Sequence, residues 1–486
     1  MAITRQGVGT SRNTMKPKLR RSPHAALPNS PEPDVLRFTD EAVQAGVEGL
    51  HRRYEAGLEL PTQVLQRCLA RIARHNPHLH AFVDLDPDGA LRDARASDAR
   101  RNHGRALSAL DGVPIGIKAN IAVQGLPWTA GIGALRDRIA QTDAPCVARL
   151  RAAGAVIMGT LNMDEGALGA RGDNPWFGRT QNPHRPGFVA AGSSAGAGAA
   201  VAAGLCAAAL GTDTIGSVRL PAAACGVVGL CPEPGRIDTT DVTPLSWSYD
   251  RVGVLARSVG DATAVLRLSA SRGAQRLPLA SASEGRRIAV LLPLEGVALE
   301  PGVAAAFETA VACAQAAGWA LMPLRLHGLD MPQALKALLL VLEAEGHAAH
   351  ESLLQKHPEG CSTAFRGMLD WGARQPASRL AAAYRDLRLW RASLRQQLAP
   401  FAALLSPAAP QSAFAFEAPT PATHAAYTAI ASIAGLPACA LPIARNDGSL
   451  PCAAQVAAAN DVTAVRVAAE LARRLPHMPA PCAYRD

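Results

Sequence analysis

Between Phe188 and Thr212 the chain carries no charged side chain and is built largely of Gly, Ala and Ser, with few larger residues. Such a run is long enough to span a bilayer. It lacks the dense Leu, Ile and Phe content of a lipid-facing helix, however. It therefore reads as backbone packed at close range inside a water-excluding core, which small side chains permit. No membrane insertion is expected. With 486 residues, 49% of them apolar and only 4% aromatic, the chain can fill a large core of tightly packed helices and strands and is unlike a β-sandwich.

Around that run the patterning alternates. Helices are expected over 40–56 and 61–74, the second with Val64, Leu65, Cys68, Leu69 and Ile72 on one face and Asn76-Pro77 as its stop. A strand candidate follows in HAFVDLD, then a charged helix over 90–102. Residues 113–121 (VPIGIKANI) read as an apolar strand, 145–154 as a helix and AVIMGTLN as a strand. Loops are expected over 166–192, a small-residue helix over 196–203, and a strand in LCAAALG. Alternation continues through a helix at 261–268, the strand RIAVLLP, a helix after Pro301, the strand ALLSPAAP, a helix at 427–434 and PACALPIA. This implies an α/β fold with a mixed or parallel sheet. Residues 331–398 carry few turn signals and read as a helical cap or insertion.

Three places carry chemistry. Lys118 stands alone in its apolar strand, where a charged ammonium must find a partner or lose its proton. A neutral lysine is a competent general base, although a structural lysine bonded to carbonyls fits the same position. Ala191-Gly-Ser-Ser-Ala-Gly-Ala-Gly198 sets two hydroxyls among residues that let the backbone come close at a helix start. Helix capping by Ser193 or Ser194 explains that loop equally. In Gly211-Thr-Asp-Thr-Ile-Gly-Ser-Val-Arg-Leu-Pro221 a strand ends in a sharp turn that exposes Ser217. The N–H groups of Thr214, Ile215, Gly216 and Ser217 could converge there as an oxyanion hole requires.

Taken together, these segments resemble the amidase-signature family of hydrolases. The resemblance rests on GVPIGIK ending at Lys118, AGSSAGAG around Ser193 and GTDTIGSVRLPAAACGVVGL from Gly211 to Leu230. FGRTQNPHRPG, GRIDTTDVTPLSWSYDRVGVLARSVGDA and IAGLPACALPIARNDGSLPCAAQV extend it to about residues 36–475. It implies the amidase-signature fold, with a central mixed β-sheet flanked by helices. It also implies a Ser–cis-Ser–Lys triad: Ser217 as nucleophile, Ser193 relaying the proton from behind a cis peptide bond, and neutral Lys118 as base, with no metal or cofactor. Ser194, Thr212, Asp213 and Arg219 would support the site, the last two as an ion pair. Met163, Asp164, Glu165, Gly166, Trp176 and Phe177 would wall the pocket. The sequence departs from the pattern at Ala119, Ala191, Ala195, Ile215 and Cys231, and Ile215 would narrow the site or resist a positive φ.

Carboxamide hydrolysis is the expected activity, on a small-molecule amide. The alternatives are an enzyme that passes the same acyl group to an amine, and an amidotransferase A-type subunit. Gly192-Ser-Ser-Ala-Gly196 also fits a nucleophile elbow with Ser194 attacking, but NPHRPGFVAAG before it reads as a loop rather than a strand. The first 35 residues hold Arg5, Arg12, Lys16, Lys18, Arg20 and Arg21 with no acid before Glu32, and are expected as a disordered basic tail. Residues 476–486 are expected as a C-terminal tail. The net charge of +9 owes much to the first of these, and no nucleic-acid partner is expected. Ten scattered cysteines form no C-x-x-C pair, which suits buried thiols in the cytoplasm. Dimers are common in this architecture, and a homodimer is the assembly to look for.

Overall fold

The computed structural model describes residues 45–271, 285–445, 450–481 and 484; the basic tail expected over 1–35 lies outside them. Eleven strands form one sheet: β1 (Phe82–Leu85), β2 (Pro114–Lys118), β3 (Val156–Leu161), β4 (Ala208–Asp213), β5 (Val228–Cys231), β6 (Arg251–Ala256), β7 (Arg287–Leu291), β8 (Ala320–Leu324), β9 (Ala403–Pro407), β10 (Ala438–Ile443) and β11 (Cys452–Ala458). Their spatial order is β1-β3-β2-β4-β6-β5-β10-β11-β9-β7-β8. The sheet is mixed. β2 runs parallel to β3 and β4, β7 runs parallel to β8 and β9, and the strands between β4 and β9 pair antiparallel. Every residue of β2, β3 and β4 is buried, so these strands read as continuous small or apolar runs rather than alternating ones.

The uncharged run lies in the middle of this core. Helix Ala195–Ala202, all of it buried, packs on β4 and β2. Larger side chains would hold these elements apart: a Cβ on Gly196 would come within 2.4 Å of the Ala81 carbonyl. No helix among the described residues is long and apolar enough to cross a membrane.

The expected elements occur with shifted ends and some corrections. The helix expected over 61–74 continues to Leu79, through Pro77. The chain leaves it at His80 with φ 52°, and the Asn76 side chain accepts the Ala81 and Phe82 N–H groups (2.9 and 2.8 Å), so Asn76 turns the chain where Pro77 was expected to. NPHRPGFVAAG is no plain loop: Arg185–Val189 pairs with Gln181–Asn182 in a separate two-stranded ribbon. The pattern missed β5, β6, β8 and β11. The first two and β11 are fully buried or nearly so and short, and β8 is an edge strand interrupted by Pro323. Residues 331–398 form three helices, Met331–Lys356, Thr363–Ala373 and Ala377–Leu398. Near the C-terminus Tyr484 packs into the main core, and its carbonyl accepts an Arg71 N–H at 2.6 Å.

Candidate active site

Because β2 and β4 are parallel neighbours, their carboxyl ends open on the same side of the sheet, where an α/β crevice forms. β2 delivers Lys118 there and β4 delivers Thr212. The loop leading into helix Ala195–Ala202 adds Ser193, and the turn after β4 adds Ser217. Lys118 and Ser193 are fully buried.

The lysine ammonium lies 2.7 Å from Ser193 Oγ and 2.8 Å from Thr212 Oγ1, with the Thr212 carbonyl at 3.5 Å. Burial drives its pKa down from 10.5 to about 7, against the pull of Asp164, Asp250 and Asp213. No carboxylate among the described residues pairs with it directly, and near neutrality a large fraction carries no proton. The Gly192–Ser193 peptide bond is cis. A Cβ on Gly192 would fall 1.8 Å from Asp164 Oδ2, so only glycine fits there.

Ser217 is not exposed, as its turn suggested, but only 7% accessible. The helical insertion reaches the same turn. Leu342, Phe365 and Leu369 from that segment join Ala119, Ile132, Met163 and Leu245 in one apolar cluster, with Ile215 packed against it. Ser217 Oγ makes no hydrogen bond to protein among the described residues, which leaves it free to approach a substrate. Its carbonyl accepts the Ser194 N–H at 3.2 Å. The N–H groups of Thr214, Ile215, Gly216 and Ser217 also meet no protein acceptor among the described residues. The positive φ of the turn falls on Gly216 (150°) and not on Ile215, so the isoleucine costs no backbone strain there. A Cβ on Gly216 would sit 2.5 Å from Thr428 Oγ1. Where the pattern departs at Ala191, φ is 58°, a conformation that costs an alanine roughly 1 kcal/mol.

The surrounding residues hold this geometry. Ser194 does not cap its helix. Its hydroxyl donates to the Thr212 carbonyl (3.1 Å) and accepts the Thr212 N–H (3.3 Å), which ties the serine loop to β4 and occupies the oxygen an elbow nucleophile would need. Asp213 and Arg219, both fully buried, form a two-pronged pair at 2.8 and 2.9 Å. Burial alone would raise the Asp213 carboxyl, but Arg219 outweighs it and holds it at about 2. The remaining Arg219 N–H groups go to the Thr428 carbonyl, Gln455 Oε1 and Ser432 Oγ, at 2.7–2.9 Å. All five guanidinium donors are thus used.

Of the expected pocket residues, Met163 and Gly166 border the apolar cluster, and a Cβ on Gly166 would meet the Phe365 ring. Asp164 clasps the Gly172 N–H with both oxygens. Glu165 accepts the Trp176 indole N–H and the Ser362 N–H, so it joins the loop to the helical insertion. Trp176 and Phe177 are half-buried and make no hydrogen bond or ring contact with Lys118, Ser193 or Ser217 among the described residues. Sequence reasoning missed Asn120, whose amide reaches Thr212 Oγ1 at 3.1 Å, and Asp250, which accepts the Thr214 hydroxyl at 2.7 Å. Asp250 stands in a segment that carried the resemblance and Asn120 two residues past one, but nothing in their spacing singles them out. No group of three or more His, Cys, Asp or Glu is placed to hold a metal ion among the described residues.

Known proteins match this sequence and fold. The Amidase family pattern covers residues 63–461. A crystal structure of an amidase superposes with a TM-score of 0.81 at 30% identity, covering 88% of this chain and 99% of the other. The native peptide amidase of Stenotrophomonas maltophilia gives 0.78 at 30% identity, with 90% and 98% covered. Among curated proteins, the A-type subunit of the glutamyl-tRNA(Gln) amidotransferase of Chloroflexus aggregans is 40% identical over 277 residues, which is 54% of this chain and 57% of that protein. The chain thus spans little more than half the length of the curated relatives it matches. With a family match over most of its length and a fold shared with solved amidases, the chain belongs to the amidase-signature family.

Proposed function

We propose that this protein hydrolyses the C–N bond of a neutral carboxamide through an acyl-enzyme on Ser217. The observation that supports it most is the 2.7 Å contact of a buried lysine, with its pKa lowered to about 7, on the hydroxyl of Ser193. Ser217 Oγ attacks the carbonyl carbon while its proton passes to Ser193, and the Ser193 proton passes to Lys118 Nζ. The developing oxyanion faces the unengaged N–H groups of the Thr214–Ser217 turn. Collapse breaks the C–N bond, and the proton returns to the departing nitrogen. Water then opens the ester by the reverse relay and releases the acid.

The pH dependence follows from the base. Lys118 works as a free amine, so kcat/KM on an amide should climb tenfold per pH unit below about 7 and level off above it. A rate profile that is flat from pH 5 to 8 would remove Lys118 as the base.

Substrate class is argued from the walls. The apolar cluster beside the site includes Ile132, Met163, Leu245 and Phe365, and the charges acting on Lys118 are all carboxylates. Burying a charged acyl group there, whether anionic or the zwitterionic γ-glutamyl group of glutamine, costs several kcal/mol. Hexanamide is therefore expected to exceed glutamine by at least about 100-fold in kcat/KM. Assay of both amides under identical conditions decides this. Glutamine turnover at parity would favour the second reading, an amidotransferase A-type subunit, which the 40% identity to such a protein supports. Capture of the acyl group by an amine is a variant of the same chemistry. The nine free cysteines among the described residues fit a reducing compartment such as the cytoplasm.

A further inference from the structure

Asp250 immediately precedes β6, whose Arg251 pairs with Asp213 at the end of β4, so the carboxylate comes to lie beside the turn that carries Ser217. One oxygen accepts the Thr214 hydroxyl at 2.7 Å. The other accepts the N–H groups of Leu245 and Ser246 at 2.8 and 3.0 Å. The Asp250 N–H closes the same loop on the Ser246 carbonyl at 2.9 Å. On its far side this loop is clamped by Glu345 of the helical insertion, which accepts both the Ser246 and Ser248 hydroxyls (2.5 Å each) and the Ser248 N–H (3.2 Å). The Tyr384 hydroxyl completes that clamp at 2.6 Å. One half-buried aspartate thus joins the nucleophile turn, the 245–250 loop and, through Glu345, the helical insertion beside the site.

We propose that Asp250 is a positioning residue of the hydrolytic site: it holds the Thr214–Ser217 turn in place through the Thr214 hydroxyl, and from beside that turn its carboxylate acts on Lys118. The inference rests on the reading of Ser217 as nucleophile and Lys118 as base. The groups acting on Lys118 are Asp164, from the loop after β3, Asp213, at the end of β4 and neutralised by Arg219, and Asp250. Asp250 is therefore one of two carboxylates in that set without a guanidinium partner. Arg251 is turned away, with its guanidinium on the Pro232 and Leu436 carbonyls. Burial raises the Asp250 carboxyl, while its hydrogen-bond donors and Lys118 oppose the rise.

The two roles separate in one experiment. The rate at which a small fluorophosphonate modifies Ser217 is followed by intact mass from pH 5 to 9 for wild type, Asp250→Asn and Thr214→Val. Asp250→Asn removes the charge, so Lys118 releases its proton more readily, and the acid limb should move down by about one pH unit. The plateau should fall about tenfold as the turn loosens. Thr214→Val keeps the charge and deletes only the tether, so it should lower the plateau and leave the limb in place. An Asp250→Asn limb that coincides with wild type overturns the electrostatic role. A Thr214→Val plateau equal to wild type overturns the positioning role, and it decides the matter alone if Asp250→Asn does not fold. Wild type that stays unmodified at Ser217 overturns the underlying site reading instead, which the other outcomes leave intact.

Discussion

Ser217→Ala is expected to lower kcat for amide hydrolysis by at least about 10⁴-fold and to abolish the fluorophosphonate adduct, with the fold unchanged. The side chain is small and its oxygen makes no hydrogen bond to protein among the described residues, so its removal deletes the proposed nucleophile and little else. Lys118→Ala and Ser193→Ala should approach the same loss, because the three groups form one proton path and their effects do not add. A Lys118→Ala/Ser217→Ala double variant should accordingly be no slower than either single one. Ser194→Ala is the contrast. It removes the tie to Thr212 and should slow adduct formation without preventing it. An adduct that survives Ser217→Ala and vanishes in Ser194→Ala would move the nucleophile to the serine loop and overturn the triad.

Arg219→Ala should destabilise the fold by about 3–5 kcal/mol, because it strands the fully buried Asp213 carboxylate and three further acceptors. Equilibrium urea denaturation followed by far-ultraviolet circular dichroism measures it, and a loss below about 1 kcal/mol would show the pair to be dispensable. The pair also sets the acid stability. Asp213 is held at about 2 in the folded chain against an ordinary 3.8, so its contribution is complete above about pH 4 and fades as pH falls toward 2. The Arg219→Ala variant should lack that part of the wild-type acid transition.

The contrast between these two predictions marks what could be read from residue order. Lys118, Ser193 and Ser217 were singled out because their three segments together resemble the amidase-signature pattern, whereas a lone charge in an apolar strand, hydroxyls among small residues or a serine on a turn each fits a structural role by itself. The α/β alternation was legible because helices and strands leave different periods in the chain. The ends were less so. Pro77 lies inside its helix, where it forgoes the bond to the carbonyl four residues back, and the Asn76 side chain closes the turn that follows. Short buried strands such as β5 and β6 carry no alternation to detect, being covered on both faces.

By itself the sequence determined which side chains carry reactive groups and which backbone segments must be small enough to pack around them. Only the tertiary structure decided their electrostatics and access. The Ser217 turn, exposed on local grounds, is buried, and its Ile215 packs against a cluster that draws on a helical segment far later in the chain, beginning at Met331. Burial lowers the Lys118 pKa to about 7, while three carboxylates brought from separate elements oppose that fall. Asp250 and Gln455 gained their roles in the same way, through partners 36 and 236 residues distant. Hydrogen bonding and desolvation depend on distance in space, and chain position encodes that distance only within a single element.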